Sequence, residues 1–209
     1  MPIKRRILFS EDEVQAGEEK VKYRDVHEAL LTNRIVFLTE DVTADLASRI
    51  IAVLIYLDTQ GSDPIKLYIN SPGGDIDGLF GIYDTMNMIS APIQTICIGE
   101  ASSCAAIILA AGTPGLRMAT SNSSIMIHQM WVDGAMEGTA TAVEMEAKAI
   151  KNLKRKLTEM LARHSGQTYQ QVYEDCEYDK YMTAKEAKAY GIIDKIIYST
   201  KPLPKLLKK

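Results

Sequence analysis

Several kinds of residue and pattern are scarce in this 209-residue chain, and each scarcity excludes something. Only three cysteines are present, Cys97, Cys104 and Cys176. Their number and spacing make neither a disulfide framework nor a metal knuckle. Free thiols in a reducing cytosol are the plain expectation, with a cytoplasmic location and no metal site. Long apolar runs are missing, since 96–98 and 105–111 are too short and interrupted to span a bilayer. An excess of positive charge is missing too. The net charge of -3 leaves no basic footprint for nucleic acid. The start, Met1-Pro-Ile-Lys-Arg-Arg-Ile-Leu-Phe-Ser10, sets a basic cluster before only three apolar residues and then turns acidic at Glu11-Asp-Glu13. That pattern does not suit a secretory signal.

What remains is an ordinary globular composition, 46% hydrophobic and 24% charged, in a length that suits one compact domain with a real core. Residues 1–24 are charged and weakly patterned and read as a mobile arm. The expected domain covers 25–198, and the Lys/Pro-rich 199–209 reads as a loose tail. Within the domain a short helix at 25–31 precedes a strand at 34–38. Thr43 is a natural N-cap for a helix whose Leu46, Ile50, Val53, Leu54 and Leu57 form one stripe. A strand at 65–69, a helix at 78–89 and a strand at 93–98 follow. The small-residue stretch 99–104 reads as a turn opening a wholly apolar helix at 105–111. A strand at 124–128 comes next. The longest helix, 142–163, has Val143, Ile150, Leu153, Leu157, Met160 and Leu161 on one face and a basic set on much of the rest. Thr183 with Glu186 predicts a capping box, with Gly191 closing that helix before a strand at 192–198. Strands alternating with helices predict an α/β fold with mostly parallel pairing.

Two segments carry candidate chemistry. In Ser71-Pro-Gly-Gly74, directly after a strand, paired glycines allow a sharp turn and a close approach to bare backbone. In Gly99-Glu-Ala-Ser-Ser-Cys104, a strand-to-helix junction, free N–H groups and the helix dipole favour developing negative charge. A serine there can attack a carbonyl while the next amide holds the oxyanion. Such a serine needs a base, and the chain has three histidines. His128 ends an apolar strand. His27 lies in a polar helical segment, and His164 sits at a helix C-terminus, where histidines commonly cap carbonyls. Each feature also has a plainer account. The serines could cap the following helix, His128 could be a satisfied structural residue, and the glycines could make only a turn. Spacing leaves Asp175, Asp179 and Asp194 equally open as a third member.

Together these segments resemble the ClpP family of serine peptidases from about residue 25 to 198. The resemblance is carried by Asn33-Arg-Ile-Val-Phe-Leu38, Tyr68-Ile-Asn-Ser-Pro-Gly-Gly74, Gly81-Ile-Tyr-Asp-Thr-Met86, Gly99-Glu-Ala-Ser-Ser-Cys-Ala-Ala106, Ala110-Ala-Gly112, Asn122-Ser-Ser-Ile-Met-Ile-His-Gln129, Leu161-Ala-Arg-His-Ser-Gly-Gln167, Met182-Thr-Ala-Lys-Glu-Ala187 and Tyr190-Gly-Ile-Ile-Asp194, in order. It implies the ClpP/crotonase-like fold: stacked turns of mostly parallel sheet, flanking helices and a protruding handle helix, here 142–163. It implies Ser103 as nucleophile, His128 as base and Asp179 as the residue orienting the histidine. The oxyanion donors would be the backbone N–H groups of Gly74 and Cys104. It further implies paired heptameric rings of this chain, an AAA+ unfoldase that alone uses ATP, unfolded protein substrates, and no metal or organic cofactor. Residues 1–24 would hold the place of axial loops. The groove receiving the unfoldase would involve Lys66, Tyr68, Met88 and Met118.

The chain departs from the family pattern in places. Met130 and Ser121 replace prolines, Lys66 replaces a tyrosine, and the stretch after His128 is about two residues longer. Glu177-Tyr178 stands where an Asp-Arg pair would bridge rings, and tyrosine supplies no cation. These departures motivate a second reading, a weak or inactive ring subunit modulating a partner ClpP paralogue. A third, an acyl-CoA enzyme of crotonase type, shares the fold and backbone oxyanion hole but does not need Ser103 and His128.

Overall fold

The computed structural model describes residues 14–16, 19–21, 23–132, 134 and 137–198. Two short strands, β1 (Val14–Ala16) and β2 (Glu19–Val21), pair antiparallel inside the stretch expected to be an arm. The rest of that arm up to residue 13, and the tail 199–209, lie outside the described residues. The chain continues through α1 (Tyr23–Thr32), β3 (Ile35–Leu38), α2 (Ala44–Thr59), β4 (Ile65–Ser71), α3 (Ile76–Met88) and β5 (Ile93–Ser102). Then come α4 (Cys104–Ala110), β6 (Met118–Thr120), β7 (Ser124–Ile127), α5 (Ala140–Ser165), α6 (Tyr169–Asp175), β8 (Lys180–Thr183), α7 (Ala184–Tyr190) and β9 (Lys195–Ile197).

Seven strands form one α/β sheet. Its path β3-β4-β5-β6-β9 is parallel throughout, as expected of strands joined by helical crossovers. β5 is the pivot. Its middle pairs with β6 (Ile96↔Met118), and its end pairs with β7 (Glu100↔Ser124, Ala101↔Ile125, Ser102↔Met126). This corrects one expectation, because 99–102 is not a turn. The strand runs on through Gly99 because a second partner, β7, is waiting beyond the end of the first. β8 then pairs antiparallel with β7. The strands β6 and β8 and the helix α6 were not expected.

Burial follows the two periods. Along β4, Ile65, Leu67 and Ile69 are buried, while Lys66 and Tyr68 face the other way. On α2 the stripe Leu46, Ala47, Ile50, Leu54 and Leu57 is buried, and the Thr43 side chain accepts from Leu46 N–H, as its cap position predicts. α4 is buried at every residue, which suits a helix apolar on all sides. α5 runs two residues further than expected at each end.

The core's only buried cation among the described residues is Arg117. Its guanidinium meets both Asp194 oxygens and also donates to the carbonyls of Ala110, His164 and Gly191. Those carbonyls sit at the C-terminal ends of α4, α5 and α7. One positive group therefore answers the negative ends of three helix dipoles. No helix among the described residues is long and apolar enough to cross a membrane.

Candidate active site

Strand register brings the site together. β5 ends at Ser102 beside Met126, and the Ser103 N–H donates to the Met126 carbonyl at 2.9 Å. On the other edge of β7, Ile127 lies opposite Lys180. One step further places His128, just past β7, opposite Asp179, just before β8. Three segments distant in sequence thus deliver a hydroxyl, an imidazole and a carboxylate to one end of adjacent strands.

The side chains meet in a line. Ser103 Oγ is 2.9 Å from His128 Nε2, and His128 Nδ1 is 3.1 Å from Asp179 Oδ1. The Asp179 side chain is 55% exposed and that of His128 is 25% exposed. Ser103 occupies the N-cap position of α4 yet makes no capping bond with its side chain, so the simple capping account fails. Its φ of 56° and ψ of -123° are strained for a residue with a side chain. The strain is the consequence of a one-residue turn between β5 and α4, which lifts the hydroxyl away from the sheet. Ser102 is turned inward, with its Oγ on Glu100.

The other aspartates are committed elsewhere. Asp175 is bound by Lys180 at 2.5 Å, Tyr190 at 2.9 Å and Gln171 at 3.0 Å. Burial would raise its carboxyl pKa, but these bonds hold it below the ordinary carboxylate value. Asp194 clamps Arg117. The other histidines are absent from the line. The His27 ring meets Phe37 edge-on. The His164 ring does not cap carbonyls, contrary to expectation, because its Nε2 lies 2.8 Å from the Tyr83 hydroxyl. Burial, with Arg117 and Arg163 nearby, pushes the His164 pKa down.

The Gly73-Gly74 turn stands directly over Ser103. A Cβ on Gly73 would lie 2.7 Å from the Ser102 carbonyl oxygen and 2.8 Å from Ser103 Cβ, and one on Gly74 would lie 2.4 Å from the Val42 oxygen. Only glycine fits either position. Cys104 opens α4, so its N–H has no acceptor one turn earlier. Gly74, Ser103, Cys104 and His128 line a cavity of about 660 Å³ whose apolar wall includes Ile76, Ile107 and Leu157. Behind the imidazole a second hollow of about 490 Å³ is lined by Trp131, Tyr178 and Asp179.

A family model described as Clp protease matches residues 17–200. The chain belongs to the Clp protease family. Members of this serine-peptidase family form rings and work with Clp unfoldases in general. Against the Clp pattern, the departing residues have definite surroundings. Glu177 forms an ion pair with Lys154 of α5 at 2.7 Å, while Tyr178 is 86% exposed. Met130 lines both hollows. Lys66, Tyr68 and Met118 lie on the outer face of the sheet, where Tyr68 stacks on Phe37 at 5.6 Å and Gln94 reaches the Met118 sulfur. Met88 ends α3 and is 68% exposed. Sequence reasoning missed Lys154, Gln129 and the Cys104 thiol as parts of the site's surroundings. The first two hold the segment that carries Asp179, through Glu177 and through the Cys176 and Glu177 carbonyls. No spacing signal pairs a helix lysine with a loop 23 residues away.

Proposed function

We propose that the protein is a proteolytic subunit of Clp type, a serine endopeptidase acting on unfolded chains. The observation that carries this reading is the unbroken line Ser103–His128–Asp179 beside the Gly74 and Cys104 amides. His128 takes the Ser103 proton on Nε2 as the oxygen attacks a peptide carbonyl. That requires the tautomer with hydrogen on Nδ1, the one Asp179 favours by accepting it. The same carboxylate stabilises the imidazolium that forms. Gly74 and Cys104 N–H groups receive the tetrahedral oxyanion, which develops beside the apolar wall of the cavity. His128 returns its proton to the leaving amine, the acyl-enzyme remains on Ser103, and water releases it by the reverse sequence.

On this reading the reaction uses no metal or organic cofactor, and ATP is consumed only by an AAA+ unfoldase docked near Lys66, Tyr68, Met88 and Met118. Paired heptameric rings joined through α5 would enclose the sites. The hydrogen-bonded serine supports an active subunit over the alternative of a silent partner to a second ClpP paralogue. Ser103→Ala is expected to lower peptide hydrolysis by at least about 10³-fold and to abolish labelling by a fluorophosphonate. Hydrolysis unchanged by that substitution would overturn the assignment.

A further inference from the structure

The residue after the nucleophile carries a thiol that the scheme above leaves idle. Cys104 is 4% exposed, and its Sγ donates to the Gly74 carbonyl oxygen at 3.2 Å. The geometry of the turn explains why that oxygen needs a partner. Val42 brackets the turn: its N–H donates to the Gly73 oxygen at 2.7 Å, and its oxygen accepts from Asp75 N–H at 2.6 Å. In a trans peptide the C=O and N–H point in opposite directions, and the described chain has no cis bonds. The first contact therefore turns the Gly74 N–H away from Val42, to the side on which Ser103 and Cys104 lie. The second turns the Gly74 carbonyl the same way. The turn thus presents the site with one donor, which an oxyanion needs, and one acceptor, whose negative end opposes it.

We propose that the Cys104 thiol is a positioning group for the oxyanion hole. It occupies the Gly74 carbonyl, holds the glycine turn against Ser103, and removes an opposing dipole from the place where negative charge develops. The inference rests on the serine-peptidase reading and extends it, giving a part to the side chain of Cys104 as well as its amide. Three further facts support it. The packing of Gly73 on Ser102 and Ser103 leaves no slack between turn and nucleophile. α4 is buried along its whole length, which fixes the backbone that carries Cys104. Burial pushes the thiol pKa up, so the group remains a neutral donor across the working range.

A contact that matters when charge appears on the carbonyl oxygen acts on the transition state more than on bound substrate. Its loss therefore lowers kcat and leaves KM nearly alone. The test uses full-length protein, an apolar fluorogenic peptide, and kcat expressed per site titrated with a fluorophosphonate, so that misfolded protein is not counted. Cys104→Val, close in shape but without a donor, is expected to lower kcat about tenfold with KM within about twofold. Cys104→Ser, which keeps a donor, is expected to recover most of the loss. A valine variant with wild-type kcat overturns the proposal, as does a serine variant as slow as the valine one or a loss expressed in KM alone. Ser103→Ala measured in parallel separates the two levels. If it hydrolyses peptide as the wild type does, the peptidase reading falls. If it is inert while Cys104→Val matches wild type, only the role of the thiol falls.

Discussion

Ser103 is held in a backbone conformation that costs free energy wherever a Cβ is present. The cost is tolerated because Ser103 N–H is bonded to Met126 and α4 is locked in the core immediately afterwards. Stability and activity should therefore separate at this one position. Ser103→Ala and Ser103→Gly both lose the nucleophile, but glycine relieves the positive φ and should be the more stable of the two by about 1 kcal/mol. Paired thermal melts read this directly, and equal melting temperatures would show that the turn is unstrained. Asp194 makes a second prediction. Burial alone would raise its pKa, but the Arg117 bonds and the Gly115 and Arg117 amides outweigh it and hold the carboxyl below its ordinary 3.8. A depressed carboxyl pKa contributes stability that is complete above the unfolded value and is lost as pH falls through the folded one. Asp194→Asn also leaves the Arg117 charge buried without its counter-ion, a loss of about 3 kcal/mol. Denaturation from pH 7 downward should show a gap between variant and wild type that holds to about pH 4 and then closes. A gap independent of pH would mean that the carboxylate charge contributes nothing.

Among the elements, the segment from α6 to β8 carries Asp179 and owes its position to neighbours on every side. Asp175 ties its start to Lys180 and Tyr190, Gln129 bonds the Cys176 and Glu177 carbonyls, and Lys154 reaches down from α5 to Glu177. The last tie is partly exposed, so its energy is modest and screened by salt. Glu177→Lys should set two cations together and displace the segment, lowering kcat about threefold, while the exchanged pair K154E/E177K should restore it. A double variant no better than the single one would show that Lys154 and Glu177 do not act through each other. Little of this lattice could be read from spacing, since Gln129 and Lys154 lie 48 and 23 residues from their partners and the closer Asp175–Lys180 pair fits no helix or strand period. The long periodic elements were legible for the opposite reason. α2 and α5 announce themselves by apolar stripes, and α7 by its Thr183–Glu186 capping box. The short strands β6 and β8 have too few residues to show a period, and they are strands only because β5, β7 and β9 pair with them. The stretch 99–102 was misread because its small residues match a turn, whereas pairing with β7 keeps it extended. For the site, the serine turn, the glycine turn and a strand-end histidine were visible as candidates. The choice among three aspartates was not, because it depends on an antiparallel partner strand that the sequence does not advertise.

On the protomer, two faces among the described residues carry apolar side chains that are only partly covered. The first turns of α5 carry Val143, Ile150 and Leu153 only half sheltered, and its buried residues all come from Thr158 onward. The outer face of the sheet presents Tyr68 stacked on Phe37, with Met118 two strands away. On the function proposed above, the first would face other copies and the second the unfoldase, and the two uses make different demands on activity. Small peptides reach an enclosed site unaided, whereas a folded protein must be unfolded and threaded. Tyr68 is on the sheet face opposite Leu67 and Ile69, whose side chains lie in the core, so its replacement should not disturb the Ser103–His128 line. Tyr68→Ser removes a large aromatic anchor of the kind that dominates docking energies. It is expected to keep peptide hydrolysis within about twofold of wild type while lowering ATP-driven degradation of a tagged folded protein at least about tenfold, a loss of roughly 1.4 kcal/mol or more in unfoldase binding. Both assays belong on the same preparation, with its ring state checked by sedimentation. Equal losses in the two assays would place Tyr68 in the support of the site, and no loss in either would move the docking surface away from this face of the sheet.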